Sequence, residues 1–149
     1  MLDIYVDGDA CPVKDEIFRV AERHNLKAYL VSNSWLRIGE NPFVEQVVVP
    51  QGPDVADDWI VERIGDGDIV VTTDIPLAAR CLKNNARALA PTGKPFTPDS
   101  IGMALAMRDL MSDLREAGEV SGGNPSFTKQ DRSRFLSALE TQIQAIKRR

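Results

Sequence analysis

The sequence predicts an α/β protein: a three-layer, Rossmann-like parallel sheet of about four to five strands flanked by helices, with two further helices at the C-terminus. Strand-like and helix-like segments alternate along residues 1–90, which is typical of βα units joined by right-handed crossovers. The strand-like runs are continuously apolar, as in parallel strands buried on both faces. We expect a single domain over 1–149, with the βα core at 1–90 and a loop and helices at 91–149.

Each element follows from its local pattern. Runs rich in β-formers predict five strands, at 2–6, 27–31, 44–49, 69–73 and 86–90. Apolar residues at helical spacing, with prolines early in two of the segments, predict helices at 12–23, 55–64, 76–82, 99–116 and 128–147. Residues 91–98 are expected to form a loop. Residues 121–125 are interpreted as a connection between the last two helices, or as a hinge there.

Composition excludes several classes of protein. With 149 residues, 43% hydrophobic and 27% charged, the chain is long enough for one core and is neither disordered nor of low complexity. The apolar runs are too short to cross a bilayer, and the acidic start does not resemble a secretory signal. We therefore expect a cytoplasmic protein that does not contact the membrane.

The net charge of −4 is unevenly distributed along the chain. Residues 1–75 carry 15 acidic and 6 basic side chains, a net of −9, whereas residues 76–149 carry 7 acidic and 12 basic, a net of +5. The mild overall acidity argues against a nucleic-acid partner only if the charge is evenly spread, because phosphate binding needs only a local positive surface.

Acidic and amide side chains follow four of the predicted strands. The loops at the carboxyl ends of parallel strands converge on one edge, where ligands bind. Carboxylate and amide oxygens are suitable ligands for a hard cation, so we expect a Mg²⁺ or Mn²⁺ site there. An alternative is that Asp54 and Asp74 are independent helix caps. The residues that the topology brings to this edge are Asp7, Asp9, Asn33, Asp54, Asp57, Asp58 and Asp74.

Other motifs have simpler interpretations. Asp66 and Asp68 precede their strand, so they are expected in a turn at the opposite edge. The Asp7-Gly8-Asp9 spacing also resembles the start of haloacid-dehalogenase-type phosphatases, with Asp7 as nucleophile and Asp9 as acid/base. Cys11 lies near a helix start, where a thiol could be reactive, but two reduced and packed cysteines are the expected arrangement.

Basic side chains could contact phosphate. Lys14, Arg80, Lys83 and Lys94 are candidate substrate-binding residues together with Asn33, and Arg80 and Lys83 share the helix that begins at Asp74. Three phenylalanines, Phe96, Phe127 and Phe135, could stack bases, although core packing is the more common role at such positions.

Five motifs, occurring in order, resemble the bacterial YaiI/YqxD family, a domain of unknown function, over essentially the whole chain. They are VDGDACPVK, GPDVADDWI, GDIVVTTDIPLAAR, MALAMRDLMSDLREAG and GGNPSFTKQDRSRF. That family is thought to be similar to PIN/NYN-like nucleases, which implies a PIN-like fold with acidic residues for Mg²⁺ or Mn²⁺. In this resemblance Asp7 and Asp74 match the acids that close the first and fourth strands, Asp57 or Asp58 matches the acid on the intervening helix, and Asp9 is a further motif position.

The sequence hypothesis is a divalent-metal-dependent hydrolase that cleaves RNA phosphodiesters. Asp7, Asp9 and Asp74 are the candidate catalytic residues, and Asp7, Asp57, Asp58 and Asp74 the candidate metal ligands. The alternatives are a non-catalytic RNA- or protein-binding module on the same fold and, third, a small-molecule phosphatase. The oligomeric state is left open.

Overall fold

Six strands form one mostly parallel sheet in the order β3-β2-β1-β4-β5-β6. A computed structural model describes residues 2–9, 11–116 and 127–149. The strands are β1 Asp3–Asp7, β2 Lys27–Ser32, β3 Val44–Val48, β4 Ile69–Val71, β5 Arg87–Leu89 and β6 Pro95–Phe96. All neighbours pair in parallel except β5 and β6, which are antiparallel. The predicted Rossmann-like α/β architecture is confirmed.

Five helices cover the sheet: α1 Lys14–His24, α2 Val55–Arg63, α3 Ile75–Lys83, α4 Pro98–Glu116 and α5 Lys129–Lys147. Local signals define their ends. Asn25 ends α1 in the left-handed region at φ 56°, and a reciprocal capping box between Thr128 and Asp131 begins α5. The predicted 121–125 connection lies outside the described residues.

Two apolar clusters lie on opposite faces of the sheet, which gives the three layers. One joins the sheet to α1 and α5, and its centre includes the fully buried Phe135, Leu139 and Ile143 of α5. The other joins the sheet to α2 and α3, against which α4 packs. The last two helices therefore cover different faces. None of the described helices is long and apolar enough to span a bilayer.

The expected loop at 91–98 contains a strand that the sequence analysis missed. After β5 the chain turns at Gly93 and returns as β6, with the Ala90 N–H donating to the Lys94 carbonyl at 2.9 Å. Only two residues pair, and the first is a proline that cannot donate to the ladder. Such a short segment has no detectable period, so sequence pattern favours a loop.

Candidate functional site

The candidate site lies where the connections from the two central strands leave in opposite directions. The chain passes from β1 to β2 on one side and from β4 to β5 on the other, so the β1–β4 boundary is the topological switch point of the sheet. Open α/β sheets bind ligands in the crevice at the carboxyl ends of the strands at such a point. Asp7 is the last residue of β1, and Asp74 immediately precedes α3 after β4. The two acids therefore flank the crevice.

A single buried hydroxyl connects these two acidic segments. Thr72 Oγ1 donates to Asp7 Oδ2 at 2.9 Å and accepts the Asp74 N–H at 2.9 Å. The Thr72 backbone is held in the sheet by its N–H, which donates to the Leu89 carbonyl at 3.1 Å. Thr72 itself is only 2% exposed, and its two hydrogen bonds are partly buried. The hydroxyl fixes the Asp7 carboxylate relative to the start of α3.

Electrostatic coupling links a third carboxylate to this pair. Burial, together with the negative charges of Asp74, Asp7 and Asp54, raises the pKa of Asp57 to about 6 against the lowering effect of Arg80. Burial also raises the pKa of Asp7, opposed by the Thr72 hydrogen bond and supported by the charges of Asp74 and Asp9. Carboxylates from β1, α2 and the β4–α3 loop therefore repel one another at one edge of the sheet.

The adjacent residue on α2 has a different environment. Asp58 is exposed and its Oδ1 lies 2.9 Å from Arg80 Nη2, in an ion pair between α2 and α3. Asp57 is therefore coupled electrostatically to the central acids, whereas Asp58 is paired with a cation. Asp9 is exposed, and it borders a small concavity with Asp7, Thr72 and Pro91.

The donor chemistry of this edge suits a hydrated Mg²⁺ or Mn²⁺. Among the described residues no three His, Cys, Asp or Glu side chains are grouped closely enough to hold one ion together. Mg²⁺ usually keeps several waters and takes only one or two protein carboxylates, so an all-protein cage is not required. Neighbouring carboxylates add to burial in raising the pKa of both Asp7 and Asp57, and a cation at this edge would offset their negative charge. The residues present fit such an ion.

Capping, the alternative explanation for two of the acids, is confirmed for one of them. Asp74 Oδ1 accepts the Leu77 N–H at 3.0 Å and so caps α3. Asp54 occupies the N-cap position of α2 at φ 63°, but its side chain accepts no bond from the described amides of that helix. Capping therefore accounts for one oxygen of Asp74 and leaves the clustering of Asp7 and Asp57 unexplained.

The predicted substrate-binding residues are distributed unequally around the site. Asn33 follows β2 at the same edge, and Lys94 lies in the β5–β6 turn, also at that edge. Lys14 Nζ instead donates to the Cys11 carbonyl at 2.8 Å, within the loop after β1. Lys83 is the last residue of α3, about 13 Å from Asp74 by helix rise. The structure does not bring Lys83 to the acidic cluster, and a phosphate contact there stays a prediction.

The remaining motifs are structural. Asp68 Oδ1 accepts the Asp3 N–H and its Oδ2 accepts the Gly65 N–H, both at 2.9 Å, at the amino end of β1 as expected for the opposite edge. Cys11 and Cys81 are buried free thiols, and burial raises the pKa of each, to about 12 for Cys81. Phe135 is completely buried, so its role is core packing.

Comparisons with known proteins agree with the motif pattern. The chain is 65% identical to a UPF0178 protein of Parvibaculum lavamentivorans over 100% of this chain and 98% of the relative. It is 62% identical to a UPF0178 protein of Rhodospirillum rubrum over 99% of each chain, and 57% identical to one of Paramagnetospirillum magneticum over 99% and 98%. No solved structure matches the chain. The family model described as "Uncharacterized BCR, YaiI/YqxD family" matches residues 5–145, and the chain belongs to this family.

Proposed function

We propose that this protein is a divalent-metal-dependent phosphodiesterase that hydrolyses RNA. The observation that carries the proposal is the convergence of Asp7, Asp57 and Asp74 from three separate elements at the switch point of the sheet. Clustered carboxylates destabilise a fold unless something offsets their repulsion. A site that accepts this cost is typical of cation binding, and cation-assisted phosphoryl chemistry is its common use.

In this proposal Asp7 and Asp74 hold the ion, and Asp57 completes the negative charge around it. A bound Mg²⁺ or Mn²⁺ would supply Lewis-acid polarisation of the phosphate and a more acidic water. Thr72 keeps Asp7 in position through its 2.9 Å hydrogen bond. Asp9, which is exposed and beside Asp7, is placed to orient a water or accept its proton.

Two cations at the rim are assigned to the RNA backbone. Arg80 lies on α3 and Lys94 in the β5–β6 turn, so they border the acidic cluster from neighbouring elements. Arg80 is shared with Asp58, and its guanidinium retains further donors for a phosphate oxygen. The role of these residues is positioning of the phosphate next to the carboxylates.

The test is cleavage of end-labelled RNA by the purified protein with Mg²⁺ or Mn²⁺, compared with Asp74→Asn. Asparagine keeps the α3 cap, so this variant should fold while it loses at least about 100-fold in rate. The matched control is Asp66→Asn, an exposed acid at the opposite edge, which should retain full activity. Metal-dependent cleavage that survives Asp74→Asn, or no cleavage at all, refutes the proposal.

Binding measurements separate this function from a non-catalytic one. Calorimetric titration with RNA should show binding that requires the divalent ion and weakens in Asp7→Asn. RNA binding that needs no divalent ion and survives changes at both Asp7 and Asp74 would identify a binding module on the same fold. Trapping of an aspartyl-phosphate on Asp7 would instead support a phosphatase.

A further inference from the structure

An indole side chain is unusually exposed to solvent on the β3 side of the sheet. Trp35 is 74% exposed, whereas tryptophan is highly buried on average. It lies three residues after the end of β2, and β2 is the direct neighbour of β1, whose last residue is Asp7. The ring lines a hollow with Val44 and Gln46 of β3, so it lies along the outermost strand on the β2 side of the crevice.

The segment that carries Trp35 is held in place, although it belongs to no helix or strand. Its side chains alternate: Leu36 and Ile38 pack against the core cluster, whereas Trp35 and Arg37 are exposed. The side-chain amide of Gln46, on β3, accepts the Leu36 N–H and donates to the Leu36 carbonyl at 3.0 Å. Both backbone groups of the residue next to Trp35 are thus satisfied by one strand, so the backbone that carries the indole is held in place.

We propose that Trp35 stacks on an unpaired base of single-stranded RNA and that Arg37 contacts the adjoining phosphate. This rests on the proposed function and specifies its substrate, because bases within a duplex have no free face for an indole. Trp35 and Arg37 share the outward side of the segment, so a base and its phosphate can be contacted together. Glu40 lines the hollow beside the ring, and its negative charge repels a phosphate there, so the phosphate is expected on the Arg37 side.

The other large aromatic side chains are already engaged. Trp59 packs on Tyr29 with ring centroids 5.8 Å apart, and Arg63 lies 4.0 Å above its ring. Phe135 is completely buried. Trp35 is therefore the aromatic side chain most available for stacking among the described residues. Stacking at such a platform is sequence-tolerant, so little base preference is expected.

The first experiment measures affinity for a labelled single-stranded oligoadenylate of about 12 nucleotides, within the usual site size, in Ca²⁺. Trp35→Ala should weaken binding roughly 5- to 100-fold and Trp35→Phe much less. Met103→Ala is the matched control, since Met103 is 73% exposed on α4, and it should bind as the wild type does. Thermal melts should show that Trp35→Ala folds normally, because an exposed ring adds little to stability.

The second experiment reports on the ring itself. The chain has two tryptophans, so Trp59→Phe leaves Trp35 as the only indole emitter. The oligoadenylate should quench its fluorescence, and a blunt duplex of equal length should not. Equal affinity of Trp35→Ala and wild type, equal quenching by duplex, or no RNA binding at all overturns the inference. If the protein cleaves RNA but Trp35→Ala binds RNA as tightly as the wild type, only this inference is refuted. If Trp35 stacks on RNA but the protein does not cleave it, only the proposed hydrolysis is refuted.

Discussion

Replacing Thr72 with valine tests the hydroxyl that connects the two acidic segments. Valine has nearly the same shape and the same preference for a β-strand, so packing at this 2% exposed position is retained. The change removes both 2.9 Å hydrogen bonds, leaving Asp7 Oδ2 without its donor and the Asp74 N–H without its acceptor. The variant therefore isolates the bridge from the surrounding core.

The expected loss can be derived from these two bonds. A buried polar group left without its partner costs about 1–3 kcal/mol, and both groups here are only partly buried, so we expect about 2 kcal/mol of unfolding free energy. For a chain of this length that lowers the melting temperature by about 4–8 °C. The pKa of Asp7 should rise further, because the Thr72 hydrogen bond lowers it in the native protein.

Differential scanning calorimetry and isothermal titration with Mn²⁺ measure the two consequences separately. Loss of a group that orients a metal ligand typically weakens affinity 10- to 100-fold, and we expect that range here. Thr73→Val is the matched control, since Thr73 is exposed and adjacent, and it should change neither quantity. If Thr72→Val melts and binds Mn²⁺ like the wild type, the bridge does not organise the site.

Three further substitutions probe charge and backbone. The pKa of Asp57, about 6, exceeds its ordinary value, so its negative charge destabilises the metal-free fold at pH 7. This penalty disappears as the pH falls toward 4. Asp57→Asn should therefore gain about 1 kcal/mol of unfolding free energy in urea melts at pH 7, allowing for solvent screening, and nothing near pH 4. Hydrogen bonds, above all the one with His24, lower the pKa of Glu140 to about 2, so its contribution to stability is complete above pH 4.5 and lost toward pH 2. Glu140→Gln should therefore cost about 0.5–1 kcal/mol of unfolding free energy at neutral pH only. An equal cost at pH 2 would contradict this. A Cβ on Gly93, at φ 92°, would lie 2.9 Å from the backbone of α5, whereas a Cβ on Gly39, at φ 73°, would meet open space. In chemical denaturation Gly93→Ala should therefore lose at least about 1 kcal/mol more stability than Gly39→Ala. Equal losses would refute the steric explanation.

The parallel core was predictable because its signals are local and redundant. β1, β2 and β4 contain continuous apolar runs followed by polar residues, and each of the five predicted segments overlaps an observed strand. The antiparallel β6 was missed because two residues, one of them Pro95, carry no periodicity. The β5–β6 hairpin is defined by backbone pairing after the Gly93 turn, which only the folded chain shows.

Topology placed the acids at one edge, but it could not assign their individual roles. Asp57 and Asp58 are adjacent on α2 and differ by about 100° in direction. Which one reaches the central acids depends on how the helix is rotated against the sheet, a consequence of packing by Ala56 and Ile60. The role of Thr72 was not predicted for a related reason. Threonine is a common residue in β-strands, and only the folded structure shows its hydroxyl between two segments that carry carboxylates.

Trp35 shows the limit of composition-based reasoning about aromatic residues. Three phenylalanines were the predicted stacking candidates, yet the exposed ring is the indole of Trp35, in a loop whose sequence predicts neither a helix nor a strand. Its exposure follows from two partners distant in sequence: the core beneath Leu36 and Ile38, and the amide of Gln46. Neither partner leaves a signal near residue 35, so the platform emerges only from tertiary structure.

The charge distribution connects the metal proposal to the RNA proposal. The acidic half supplies the carboxylates of the edge, and Arg80, the cation that lowers the pKa of Asp57, is already paired with Asp58 at 2.9 Å. Basic residues alone therefore do not cancel the repulsion that raises the pKa of Asp57 and would oppose an approaching phosphate. One divalent ion held by Asp7 and Asp74 would bring the formal charge from −4 to −2 and place the new positive charge at the edge itself. On this argument the ion is a condition for substrate binding as well as for hydrolysis, and Trp35 adds an uncharged contact that this repulsion does not weaken.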